Sequence, residues 1–197
     1  MAQSKVYQRL FPFANRILRI LYRPQITGLE NVPREGAFIV YANHSSNIDA
    51  FLMMCFIGRE HQLHVLAKKE IFKVPVLGAV AKATEMICVD RSKMDINSVR
   101  LSLNYLKAGE KLGIFPEGTR VSEGESVDAK SGIIRLADKT RVPVLPMYIP
   151  AKKPWFRKTP IVFGESFFIN PEQRKLQPEE LQPLAEEIMG KIRELRP

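Results

Sequence analysis

The chain has 197 residues, enough for one domain of ordinary size with its own core, and carries no internal repeat or low-complexity tract. Thirty Lys and Arg against 21 Asp and Glu give a formal charge of +9, which favours an anionic partner such as nucleic acid, anionic lipid headgroups or a phosphorylated substrate. Only 9% of residues are aromatic and no basic helix carries interleaved stacking residues, which argues against a nucleic-acid module; Cys55 and Cys88, without ligand-spaced companions, read as buried thiols rather than a disulfide or zinc site.

Residues 5 to 23 place Val6, Tyr7, Leu10, Phe11, Ala14, Ile17, Leu18 and Leu21 at helical spacing, with Lys5, Arg9, Arg16, Arg19 and Arg23 on the other side. The arginines interrupt the roughly 20 apolar residues a bilayer-spanning helix needs and spoil a signal-peptide core. Pro12 is expected to kink or split the helix. Such a segment can lie in a membrane interface or pack on a core, and periodicity alone does not choose between these.

Thereafter short β-rich runs alternate with helical patterns. Strands are expected at 37 to 42, 63 to 67, 86 to 89, 112 to 115, 142 to 148 and 160 to 168, and helices at 49 to 57, 70 to 83, 93 to 108, 131 to 140 and 178 to 195. This order predicts an α/β domain with a largely parallel mixed sheet flanked by helices, covering 25 to 197, preceded by the amphipathic segment 1 to 24. Ligands of such sheets bind where loops leave the carboxyl ends of strands. Three polar loops fall there: Asn43-His44-Ser45-Ser46-Asn47-Ile48-Asp49, Asp90-Arg91, and Pro116-Glu117-Gly118-Thr119-Arg120.

His44 can take a proton from a hydroxyl at neutral pH if a partner fixes its tautomer, and Asp49 is spaced to do so. A cap or a loop hydrogen bond is the bland alternative for both. The chain has no G-x-S-x-G elbow, so the nucleophile would be a substrate hydroxyl. Arg91 and Arg120 could each grip a phosphate through paired hydrogen bonds, or form ordinary surface ion pairs. Glu117 would accept a substrate hydroxyl or fix an arginine. Lys68 and Lys69 end a strand and precede an apolar stretch broken by Pro75 and Gly78, which could line an acyl channel or form a buried kinked helix. His61 and His64 read as packing or surface residues.

In order, NHSSNID, AKKEIFKVPVLG, ICVDR, FPEGTR, AKSG and VPVLPM resemble the successive blocks of the 1-acylglycerol-3-phosphate acyltransferases, the lysophosphatidic acid acyltransferase family, over about residues 25 to 170. The resemblance implies an enzyme that moves a fatty acyl group from a thioester of coenzyme A or acyl carrier protein to the sn-2 hydroxyl of 1-acylglycerol 3-phosphate. It would work at the cytoplasmic face of the cell membrane, held peripherally or monotopically on anionic lipid, with no metal, resident cofactor or nucleic acid. It implies His44 as general base with Asp49 as its orienting partner, and Arg91, Glu117, Gly118, Thr119, Arg120 and Lys68 around the phosphorylated acceptor. Lys130 and Gly132 match the family's K-x-G, and Pro146 its last block. Two positions depart: Glu85 stands where the family commonly has glycine, and Ala129 where it has phenylalanine, both beside segments that would meet the acceptor. The remaining alternatives are the same chemistry on another lysolipid, and a basic lipid-binding protein without catalysis.

Overall fold

The computed structural model describes residues 5 to 90, 95 to 121 and 129 to 197. The first element is α1 (Lys5–Tyr22), continuous through Pro12. The expected break does not occur, and the reason is local. Proline removes one backbone donor, the one that would have reached the carbonyl of Gln8. That carbonyl instead accepts from the Arg59 guanidinium at 3.4 Å.

The remaining elements are β1 (Pro24–Thr27), β2 (Ile39–Ala42), α2 (Asp49–Phe56), β3 (Leu63–Lys68), α3 (Pro75–Ala83), β4 (Ile87–Val89), α4 (Ile96–Lys107), β5 (Lys111–Ile114), α5 (Gly132–Thr140), β6 (Val144–Tyr148), β7 (Thr159–Phe163) and α6 (Leu181–Glu194). One seven-stranded sheet runs in the order β1-β7-β6-β2-β5-β3-β4. Its ladders are parallel except between β6 and β7. This is the expected α/β architecture with one antiparallel joint.

The edge strand β1 was not anticipated. It has four residues, alternates half-buried with exposed positions and begins with a proline, so it carries almost none of the apolar signal of a strand. The expected helix at 70 to 83 is two pieces, a 3₁₀ turn (Lys69–Lys73) and α3, because Pro75 holds Val74 in an extended conformation. Gly78 lets these pieces fold together, since a Cβ there would lie 2.4 Å from the carbonyl oxygen of Phe72. The last expected strand stops at Phe163, and Phe167 adds a single antiparallel bridge to Val144.

Alternation along β2 shows how the layers are filled. Val40 and Ala42 face a core built with α1, α2 and Ala81 of α3, whereas Ile39 and Tyr41 face α4, α5 and α6. β2 therefore feeds α2 on one face of the sheet, and its neighbour β5 leads toward α5 on the other. Loops leaving adjacent parallel strands toward opposite faces open a crevice at their carboxyl ends. Cys55 is buried as expected, but Cys88 is exposed, because β4 is an edge strand and Cys88 points off it.

Candidate active site

The loop after β2 is pinned from several parts of the chain. Asn43 bonds both backbone groups of Ile149, Nδ2 donating to its oxygen at 2.6 Å and Oδ1 accepting its N–H at 3.0 Å, which ties the end of β2 to the end of β6. The N–H of His44 donates to Glu117 Oε2 at 2.8 Å, and its carbonyl accepts from Val121 N–H at 2.8 Å. His44 is thus bracketed, front and back, by the segment that leaves β5. Its ring stacks on Phe115 with centroids 4.2 Å apart, and the side chain is only 12% exposed.

Asp49 opens α2 and is fully buried. Its Oδ2 accepts the N–H groups of Ser45 and Ser46, each at 2.7 Å, and lies 3.2 Å from His44 Nδ1. The ammonium of Lys153, only 5% exposed, stands 2.9 Å from Oδ1. Burial works against the charge, but the His44 hydrogen bond, the Lys153 charge and the Ser46 amide outweigh it, and the carboxyl sits below the usual range. An ionised carboxylate can only accept, so the Nδ1 it meets carries the proton. Nε2 is then a lone-pair nitrogen on the ring edge left for the groove.

That groove encloses about 260 Å³. His44, Lys68, Glu70, Thr119 and Arg120 give its wall polar groups, Lys68 and Glu70 lying 3.6 Å apart, and Ala50, Phe51, Leu66, Ile71, Leu77 and Met86 give it apolar ones. A ligand with an anionic head and a hydrocarbon tail matches that combination.

The expected residues are distributed unevenly around it. His44, Asp49, Lys68, Thr119 and Arg120 come together as the loop positions imply, whereas Arg91 lies outside the described residues. Glu117 does not line the groove and contacts neither Thr119 nor Arg120 by hydrogen bond; its carboxylate holds the His44 backbone. Burial, and less strongly the charge of Asp49, pushes its carboxyl up to about 6, against the pull of the His44 amide. Gly118 has φ +65 in the turn closed by its N–H to Phe115 oxygen, a conformation that calls for glycine, and a Cβ there would lie 2.8 Å from Lys130 Cε, at the flexible end of that side chain. Lys130 thereby packs its stem beneath this turn while its N–H bonds Pro116 oxygen at 2.8 Å. Gly132 simply opens α5. Pro146 is buried in β6 away from the groove, and accepts the Gly164 N–H on the side where proline has none to give.

Lys153 was missed, because no motif surrounds it and its 104-residue separation from Asp49 is closed only by the fold. Glu85 turns left-handed, φ 56, between α3 and β4, on the opposite edge of the sheet, and Ala129 is buried against the α5 core. Neither departure touches the groove. His61 and His64 are packing residues, 4% and 2% exposed, the latter stacked on Tyr105. Among the described residues no three of His, Cys, Asp and Glu gather to hold a metal.

The family model described as Acyltransferase matches residues 23–150. The 1-acyl-sn-glycerol-3-phosphate acyltransferase of Bacillus subtilis is 34% identical over 117 residues, covering 59% of this chain and 57% of that protein. The enzyme of the same name from Borreliella burgdorferi is 27% identical over 146 residues, again covering 57% of that protein and 73% of this chain. The crystal structure of the 1-acyl-sn-glycerophosphate acyltransferase PlsC from Thermotoga maritima superposes with a TM-score of 0.70 at 26% identity, over 97% of this chain and 78% of that one. The chain spans little more than half the length of these two curated relatives.

Glu117 binds a proton in the folded state between about pH 4.5 and 6, where the unfolded chain has released it, so stability falls as pH rises through that window. Glu117→Gln keeps an acceptor for the His44 amide and is expected to remove this slope, gaining about 2 kcal/mol at pH 7 in denaturant titrations; an unchanged slope would assign it to another group. Lys153→Met strands a buried carboxylate and should cost about 3 kcal/mol, partly recovered by adding Asp49→Asn. A neutral single variant would mean the ion pair does not hold the loop.

Proposed function

The chain belongs to the acyltransferase family, and from that premise we propose that it transfers a fatty acyl group from a thioester of coenzyme A or acyl carrier protein to the sn-2 hydroxyl of 1-acylglycerol 3-phosphate, giving phosphatidate. The observation that carries this reading is the placement of His44, with Nδ1 committed to Asp49, in a groove lined both by polar groups that include Lys68 and Arg120 and by apolar side chains.

In this scheme His44 Nε2 takes the proton of the acceptor hydroxyl as its oxygen attacks the thioester carbonyl carbon. Asp49 steadies the imidazolium that forms. The tetrahedral intermediate then collapses, the C–S bond breaks, and the departing thiolate takes the proton back from Nε2. Ester and thiol leave, and the histidine is restored. The thioester is already activated, so His44 and Asp49 suffice for the proton traffic. Arg120 and Lys68 receive the acceptor phosphate, and the apolar side chains of the groove take the acyl chain. Glu117, Gly118 and Lys130 act from behind, setting where His44 stands.

The substrates are lipids, and we place the protein on the cytoplasmic face of the cell membrane, peripherally, against anionic headgroups. No helix among the described residues is long and apolar enough to cross a bilayer. α1 instead divides its apolar residues: Tyr7, Phe11, Leu18 and Tyr22 enter the core, while Val6, Leu10, Phe13, Ile17 and Ile20 stand exposed along a second stripe. Arg9 and Arg16 flank that stripe and remain exposed. One face of the helix thus lies in the core, and in this proposal the second stripe is the face offered to lipid.

Transfer of a labelled acyl group to lysophosphatidate tests the reaction. His44→Gln is expected to lower kcat by about 10²- to 10⁴-fold with little change in KM. Arg120→Ala should raise KM for the phosphorylated acceptor about 10- to 100-fold, the value of a lost charge-assisted contact, and leave KM for the thioester unchanged. Full activity in His44→Gln would remove the base, and an unaltered acceptor KM in Arg120→Ala would move the phosphate elsewhere.

A further inference from the structure

The loop joining β6 to β7 carries Lys152, Lys153, Pro154, Trp155, Phe156, Arg157 and Lys158, and its middle contradicts ordinary surface composition: Trp155 is 65% and Phe156 58% exposed, side by side. Two large aromatics standing in water lose the burial that would normally stabilise them. They are also held there. Phe156 donates its N–H to Leu21 oxygen at 2.5 Å, the Trp155 indole N–H donates to the Tyr22 hydroxyl at 3.3 Å, and Phe156 adopts φ 60, a left-handed conformation that is costly for a bulky side chain. Leu21 and Tyr22 are the last residues of α1, so the aromatic pair extends the stripe that ends at Ile20.

Resting on the membrane reading above, we infer that the 151 to 158 loop is a second lipid anchor, with Trp155 and Phe156 entering the headgroup and upper acyl region beside the exposed stripe of α1. The partner is an anionic bilayer. An amphipathic indole with an apolar neighbour suits that boundary, and Lys152, Arg157 and Lys158, exposed around them, supply the complementary charge. The loop's inner end reaches the candidate catalytic residues. Lys153 turns inward to Asp49, donates to Ser45 Oγ at 2.8 Å, and caps the Pro150 and Ala151 carbonyls at 2.9 and 3.2 Å. One short segment therefore contacts both the bilayer and the carboxylate that orients His44, and fixes the groove's height above the lipid surface.

Trp155 is the chain's only tryptophan, so its emission reports on this loop alone. On adding vesicles of phosphatidylglycerol, the full chain should show blue-shifted emission that acyl chains brominated near the headgroup quench. Trp155→Ala/Phe156→Ala should bind the same vesicles about tenfold more weakly, with unchanged thermal melting. Binding with emission that stays water-like and open to iodide would overturn the loop anchor while sparing the α1 stripe. Emission already blue-shifted without lipid, and rising with protein concentration, would assign the surface to a second copy and overturn it. Failure of the chain to bind any vesicle would overturn both the anchor and the membrane reading beneath it.

Discussion

A fully buried carboxylate is expensive to keep ionised, and the geometry of the whole site follows from how Asp49 is kept so. Two backbone amides and the His44 ring converge on one oxygen, and a nearly buried ammonium faces the other. The loop after β2 supplies the ring and both amides, Lys153 comes from the segment after β6, and all must be in place for the charge to persist. The carboxylate therefore acts as an assembly point. It draws the loop after β2 into a tight turn, opens α2 with an acidic residue where the helix dipole favours one, and reaches across the sheet to the segment after β6.

The consequence for His44 is that very little of it is free. Its N–H and carbonyl are taken by the segment after β5, its ring lies on Phe115, and Nδ1 is given to Asp49. What remains is one nitrogen at the edge of the groove. Glu117 illustrates how the same constraint changes a residue's meaning. Beside Thr119 and Arg120 a carboxylate would oppose an anionic acceptor, but turned back onto a backbone amide it becomes a strut, and Gly118 and Lys130 lock the turn that points it there.

Much of this was legible beforehand. The apolar runs of β2, β4 and β5 and the polar loops after them pointed to the carboxyl ends of a parallel sheet, and His44, Asp49, Lys68, Thr119 and Arg120 do gather there. What could not be read depends on long-range closure. β1 is too short and too wet to register, Lys153 is remote from its carboxylate, and Arg59 rescues the Pro12 helix from 51 residues beyond Gln8. Side-chain direction was also hidden: the loop motif names Glu117 without saying that it faces the backbone, and strand periodicity does not tell that β4 is an edge from which Cys88 points outward.

The tautomer of His44 carries the entire scheme, and long-range ¹H–¹⁵N correlation spectra of the three imidazoles read it directly, with His44→Gln giving the assignment. If Asp49 holds the ring as its contacts indicate, His44 in mildly alkaline solution will show a protonated Nδ1 and an unprotonated Nε2. A ring protonated at Nε2 in the folded protein would leave no base at the groove, and would contradict the roles given to both residues.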